Sequence, residues 1–269
     1  MKIINSIFAL LLIAISQIVG VGQARIVNPS SDPKAENNTP QWEVQLNYTF
    51  EKLSNGYGDW QSASLDFSRK FKTRQTLYGS FLRTSRFRSR DEQATLGFYV
   101  PLNDKWAVEF EASVSPTHNT LAKWTARGRI ERQFGKGWVA SAGYRRTVYN
   151  AAKVNLISLG AEKYFGDYRA AYTLYVSELQ KTGTSASHVF QFNRYYGEQV
   201  SSIGVTGGFG RELESLGNQG VLQTSVRSIA ISGRHWVNRR WGINYGAALT
   251  QQGKFYLRRG LNIGFRIRF

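Results

Sequence analysis

An all-β chain folded as one antiparallel β-barrel that crosses a membrane is the fold class this sequence predicts. Three observations predict it. The last nine residues alternate without a slip: Leu261, Ile263, Phe265, Ile267 and Phe269 are apolar, while Asn262, Gly264, Arg266 and Arg268 between them are polar or small. A period of two is a strand with one dry face and one wet face. The same alternation recurs many times upstream, and the chain opens with a leader that reads as an export signal. An aqueous sandwich can own one such strand, but it has no reason to show the alternation of short and long connections described below.

Residues Met1 to Ala24 read as a secretory signal peptide. Lys2 supplies the positive start, Ile7 to Ile15 is an unbroken apolar run, and Gly22-Gln23-Ala24 puts small residues at the cleavage site. That run is too short to span the ~30 Å hydrocarbon core of a bilayer, and no other stretch approaches ~18 consecutive apolar residues. Residues Arg25 to Pro40 follow, with Asn28-Pro29, Asp32-Pro33 and Thr39-Pro40 among Ser, Asn and Asp. They read as a flexible periplasmic tail, with a small plug folded into the barrel as the alternative. Residues 41–269 form the barrel.

Composition narrows the function classes. There is no cysteine, which removes disulfides and thiolate–metal sites. Aromatics make up 14 %, and 26 glycines stand against 5 prolines, as suits strands, tight turns and interfacial girdles. The formal charge of +17 comes from 35 Lys and Arg against 18 Asp and Glu. In a cytoplasmic protein this points to nucleic acid. An exported chain meets lipopolysaccharide or an acidic polysaccharide instead, so no nucleic-acid partner is expected.

In order, strands are expected near 42–50, 60–70, 75–83, 93–100, 105–114, 122–134, 138–149, 154–165, 168–178, 185–195, 199–210, 222–232, 240–250 and 256–269. That is about fourteen, with twelve to sixteen allowed, and even as bacterial barrels require. Every second connection is short, as at Pro101 to Asp104, Gly135 to Gly137, Gly166-Asp167, Tyr196 to Glu198 and Val237 to Arg239. The others, such as Ser54 to Asp59, Ser85 to Asp91, Gln180 to Ser185 and Arg211 to Gly220, are longer and more polar. Short periplasmic turns and longer outer loops are the expected asymmetry. Trp42, Val44, Leu46, Tyr48 and Phe50 sort to lipid and Glu43, Gln45, Asn47 and Thr49 to the lumen, and most other strands sort as cleanly. The facing of 222–232 stays open. A charge on the lipid face near the midplane costs about 2–4 kcal/mol, which constrains the sorting. Trp42, Trp60, Trp106, Trp138, Trp236 and Trp241 lie at strand ends, where an aromatic girdle belongs.

Two places can carry function. The lumen is expected to hold Glu43, Asp66, Glu109, Glu111, Glu131 and Glu162 opposite Lys123, Arg127, Arg129, Arg145, Arg169, Arg266 and Arg268. Cross-strand pairs between them either rigidify a filled barrel or leave a narrow channel whose basic cluster, Arg127, Arg129 and Arg145, holds an anion. The second place is the run Arg83-Thr84-Ser85-Arg86-Phe87-Arg88-Ser89-Arg90, read as an outer loop. There Arg83, Arg86, Arg88 and Arg90 either contact lipopolysaccharide phosphates or form a solvated loop. Catalysis has one candidate base, His118, near Ser115 and Asn119; His188 and His235 have no nucleophile or carboxylate beside them in the sequence. The reading is no enzyme, no metal and no cofactor.

Laid out this way, the chain resembles the YaiO-like family of outer-membrane β-barrel proteins. The resemblance rests on Trp60-Gln61-Ser62-Ala63-Ser64-Leu65-Asp66-Phe67-Ser68-Arg69 and on Ala142-Gly143-Tyr144-Arg145-Arg146-Thr147-Val148-Tyr149. It continues through Ser158-Leu159-Gly160-Ala161-Glu162-Lys163-Tyr164-Phe165-Gly166-Asp167-Tyr168, Phe192-Asn193-Arg194-Tyr195-Tyr196-Gly197 and the closing strand. It implies an outer-membrane barrel associated with envelope polysaccharide functions, with no catalytic residues to carry over. Some relatives carry helical repeats ahead of the barrel; this chain has the 25–40 tail there, so a separate periplasmic export partner would supply the scaffold.

The expected function is a channel or accessory component in the Gram-negative outer membrane for transport or export of a polysaccharide or other anionic solute. A structural or lipopolysaccharide-binding barrel with a plugged lumen is the alternative, and a membrane-embedded hydrolase the third reading.

Overall fold

A computed structural model describes residues 41–71, 74–150, 152–179, 183–215 and 221–269, and the side chains of 212–215 and 221–222 are left aside. The signal-peptide and tail readings, residues 1–40, lie outside the described residues. Fourteen strands follow one another: β1 (Gln41–Leu53), β2 (Trp60–Lys70), β3 (Thr76–Arg86), β4 (Ser89–Pro101), β5 (Trp106–Thr117), β6 (Trp124–Phe134) and β7 (Trp138–Val148). The second seven are β8 (Lys153–Phe165), β9 (Tyr168–Leu179), β10 (Gly183–Tyr196), β11 (Ser201–Ser215), β12 (Val221–Trp236), β13 (Trp241–Gln252) and β14 (Tyr256–Arg268). Each pairs antiparallel with its neighbours, and β14 returns to β1 to close the barrel. Closure leaves no unpaired edge, which is what a lipid environment demands of a sheet.

The seam is set by the alternating pattern of the last strand. Val44 faces Ile267, Leu46 faces Phe265 and Tyr48 faces Ile263, so both strands turn apolar side chains to the same side. A one-residue slip would send Arg266 and Arg268 into lipid. Beyond the strands, the Phe269 N–H donates to the Trp42 carbonyl at 2.9 Å. An even strand number puts the start of β1 and the end of β14 at one end of the barrel, here the terminal end; the other is the distal end.

At the terminal end two turns share one device. The Asn103 side chain accepts from the N–H groups of Lys105 and Trp106, and Asn238 does the same for Arg240 and Trp241. Asn is suited to this because its short amide caps the backbone two and three residues on.

The connections depart from the expected asymmetry. The longest fully described distal connections, 54–59 and 118–123, have six residues, and the longest terminal one, 71–75, has five. The stretch Ser85 to Asp91 is no loop: β3 and β4 run on until only Phe87 and Arg88 remain, both with positive φ (50° and 65°) as a tight hairpin requires. Length at the distal end has gone into strands, so polar residues that looked like loop sit on the barrel wall.

The outward face carries an apolar belt that includes Leu46, Phe81, Ile157, Phe192 and Phe265. Strand β12, whose facing the alternation left open, turns Ile229 and Ile231 outward and Thr224, Ser228, Arg234 and Trp236 inward. The tryptophan girdle needs a correction. Trp42, Trp106, Trp138 and Trp241 stand outward at the terminal end, but Trp60 and Trp236 are buried inside the barrel, at 0 % and 7 % exposure. Position along the strand put all six near turns; parity decides the face, and Trp60 shares its parity with the inward Asp66.

Candidate functional site

The lumen is built from every second residue of fourteen strands, and its two halves differ. A cavity of about 400 Å³ lies against β12–β14 and β1–β7, and no residue of β8–β11 lines it. Its wall on β1–β4 is rich in short polar side chains, Gln45, Asn47, Thr49, Ser62, Ser64, Ser80, Gln93 and Thr95, with the carboxylate of Asp66 among them and those of Glu43 and Glu51 toward its ends. Asp66 accepts from Asn47 at 2.6 Å and from the Ser64 hydroxyl at 3.0 Å. From Glu43 to Glu51 the cavity follows nine residues of β1, roughly 27 Å of strand over eight rises of ~3.4 Å.

Charges enter this space in pairs. Arg127 reaches both Glu109 and Glu111 at 3.1 Å, and the Tyr78 hydroxyl donates to the same two carboxylates at 2.9 and 3.0 Å. Tyr78 gets there from β3 by lying across β4 at Gly97, where any Cβ would collide with its ring. At the terminal end Glu43 collects Arg234 (3.4 Å), Arg268 (3.6 Å) and Arg266, and the last two guanidiniums each sit 4.0 Å from the Trp236 ring. At the distal end Glu51 pairs with Arg258 at 3.3 Å, and Trp60 is held between Arg258 and Arg86.

The other half is filled. Glu162 takes Arg129 at 3.2 Å and Arg169 at 2.8 Å, and Arg169 continues to Gln191 and Asn193 at 3.1 and 3.2 Å. Arg129 also meets Glu131 at 2.8 Å. Here Arg129, Glu162, Arg169, Gln191 and Asn193 join into one network across β6, β8, β9 and β10.

One connection folds inward. Asp91, fully buried, accepts from the backbone N–H groups of Asn119, Thr120 and Leu121 at 2.8, 2.6 and 3.0 Å, and from the Thr120 hydroxyl at 2.7 Å. This holds 119–121 over the mouth and turns Leu121 and Ala122 into the cavity wall. Nothing in the sequence flags Asp91 beyond its place in a basic run.

Of the expected basic cluster, Arg127 and Arg145 face each other across β6 and β7 and line the cavity, while Arg129, two residues along, belongs to the filled half. Arg127 and Arg129 are occupied by carboxylates, so the cluster is no bare anion ladder. Lys123 is exposed at the distal rim ahead of β6 rather than inside. The second cluster is divided by the strand period. Arg83 and Arg90 are outward, Arg88 is in the turn, and Arg86 is a lumen residue with 3 % exposure. An outer-loop reading of all four therefore fails for Arg86, which points in because it shares parity with Tyr78 and Thr84.

His118 Nδ1 lies 3.0 Å from the Ser115 backbone carbonyl, and the Ser115 hydroxyl is met by Gln93 at 3.3 Å, so the two side chains form no nucleophile–base pair. His188 and His235 are on the outer face, hydrogen-bonded to Tyr172 and Tyr196. Among the described residues no group of three or more His, Asp or Glu is placed to hold a metal ion.

The family model described as "YaiO membrane beta barrel domain" matches residues 41–215. Among solved structures, the chain is similar to the Acinetobacter baumannii outer membrane protein Omp33, at 10 % identity over 84 % of this chain and 98 % of that one, with a TM-score of 0.51. It is similar to a bacterial polysaccharide outer membrane secretin at 8 % identity over 86 % and 98 %, TM-score 0.50. An anion-selective porin from Comamonas acidovorans follows the same course at 10 % identity over 86 % and 99 %, TM-score 0.47. Among curated proteins none matches the chain. These likenesses are of fold, and with the membrane-barrel family they put the chain in the outer membrane of a Gram-negative bacterium.

Proposed function

The chain belongs to the YaiO membrane β-barrel family, and from that premise we propose that it is a non-enzymatic outer-membrane conduit whose lumen carries a segment of a sugar polymer. The observation that supports this is the cavity of about 400 Å³ along β12–β14 and β1–β7, a volume in the range of ligand sites. Hydroxyl and amide groups on β1–β4 can exchange hydrogen bonds with successive sugar hydroxyls, and Asp66 adds an acceptor. Of the arginines facing them, Arg127 is tied to Glu109 and Glu111, Arg234 to Glu43 and Arg258 to Glu51. Balanced charge favours an uncharged or weakly charged chain over a free anion, which narrows the anionic-solute expectation.

A second reading has its own observation. Leu53, Trp60 and Tyr256 form a buried apolar cluster at the distal end with Tyr57, Phe87 and Phe255 packed on it. Such a cluster beside the inward 119–121 segment suits a barrel closed at rest, structural or opened by a periplasmic partner.

The test is planar-bilayer current from the refolded barrel with neutral gluco-oligosaccharides added to one side. The conduit reading expects a steady conductance of weak ion selectivity, interrupted by brief sugar-dependent blocks. A conducting barrel that no oligosaccharide blocks would refute the sugar assignment, and a silent one would favour the closed reading.

A further inference from the structure

The outer face carries positive charge in two chemically different settings. At the terminal end three outward cations lie on tryptophans: Arg69 is 4.9 Å from Trp42, Arg132 is 5.1 Å from Trp106, and Lys163 is 5.0 Å from Trp138. On the distal side of β3–β9 some outward charges are answered. Arg83 meets Glu92 at 3.8 Å, and Arg146 donates to Asn155, which donates to Glu178.

The arc from β11 through β14 to β1 is different. The first outward position beyond the apolar belt is Arg211 after Phe209, Arg227 before Ile229, Arg259 before Leu261 and Lys52 after Phe50. Gln251 holds the same level on β13. Lys52 and Arg259 are directly opposed in the register of β1 and β14. Facing like charges on one side of a sheet are destabilising unless an anion lies between them. Among the described residues, Lys52, Arg227 and Arg259 have no carboxylate within ion-pair distance and no aromatic ring under them.

We propose that this arc, centred on Lys52, Arg259 and Arg227, binds the phosphate groups of an outer-leaflet glycolipid. Two features specify an amphipathic ligand rather than free phosphate. The cations are exposed, and directly below them Leu261, Ile229 and Phe209 are 64 %, 56 % and 51 % exposed, placed for acyl chains. Arg227 and Arg259 lie two strands and, by register, two residues apart, roughly 12 Å at the usual spacings, so a ligand bearing two phosphates can engage both. A barrel inserted from the periplasm as seven hairpins leaves both strand ends on that side, so the distal edge meets the outer leaflet.

The experiment uses the mature barrel in nanodiscs doped with lipid A, with bound glycolipid counted by native mass spectrometry. The triple variant Lys52→Gln, Arg227→Gln, Arg259→Gln should lose roughly a hundredfold in lipid A affinity, about fivefold per cation. Arg83→Gln, whose charge is already answered by Glu92, should change it little. Dephosphorylated lipid A should bind the native barrel roughly a hundredfold more weakly than phosphorylated lipid A does. That arm stands even when the triple variant fails to fold. Inorganic phosphate and phosphatidylglycerol should not compete. Undiminished binding by a folded triple variant, equal binding of dephosphorylated lipid A, or full competition by phosphatidylglycerol would each overturn the assignment.

Discussion

The two halves of the lumen are made from the same strand geometry and differ in where their inward side chains meet. Along β8–β11 and the adjoining part of β6, Arg129, Glu162, Arg169, Gln191 and Asn193 reach one another and close the space. Along β1–β4, Ser, Thr and Asn stop near the wall and a cavity remains. A barrel of intermediate strand number has room for either outcome. The comparison teaches that open space is decided residue by residue at inward positions. It also teaches that ion pairs do not mark one half: Arg127 with Glu109 and Glu111 lines the cavity, and Glu162 with Arg129 and Arg169 sits where no cavity remains.

The largest expected effect breaks the filled half. Glu162→Ala removes the carboxylate shared by Arg129 and Arg169 and leaves buried guanidiniums facing each other, so unfolding in urea should show a loss of about 3 kcal/mol. Asp91→Ala comes next. It frees three backbone N–H groups and should cost about 2 kcal/mol while enlarging the single-channel conductance, because Leu121 and Ala122 no longer narrow the mouth. An unchanged conductance would show that the segment is no constriction.

A matched pair sharpens the comparison further. Thr173, on β9 opposite Gly160 and in parity with the inward Arg169, belongs to the filled half; Thr173→Tyr adds a ring there and should destabilise by about 1–3 kcal/mol with little change in current. Ser80→Tyr adds the same ring to the open half, where it should cost under about 1 kcal/mol yet cut conductance severalfold. The smallest effect belongs to Arg83→Gln, which breaks an exposed pair and should shift stability by no more than about 0.5 kcal/mol.

Much of the fold was legible in the residues, and for a definite reason. A period of two with one face in lipid is a strong constraint, so fourteen strands, their order and most of their faces follow from alternation alone. Trp60 and Trp236 were misplaced by nearness to turns, although parity with Asp66 already pointed Trp60 inward; Trp236 follows a strand whose facing the alternation left open. Arg86 was misplaced because a run of arginines reads as one patch in a sequence, while a strand deals alternate members to opposite faces. The inward 119–121 segment was not legible, since Asp91 meets it only once β4, β5 and β6 are side by side. Nor was the choice of Arg127 for two carboxylates at once, or the division of the lumen. Both depend on how far side chains reach across a closed barrel, and no local pattern encodes that.

The division itself can be measured directly because the chain contains no cysteine. Single cysteines replace Ser80 in the open half and Ser187, inward on β10, in the filled half, and the reaction of each folded barrel with a charged, water-soluble methanethiosulfonate is timed. The account predicts rapid modification at position 80, accompanied by a drop in conductance, and slow modification without such a drop at position 187. Equal rates at the two positions, or faster reaction at 187, would contradict it.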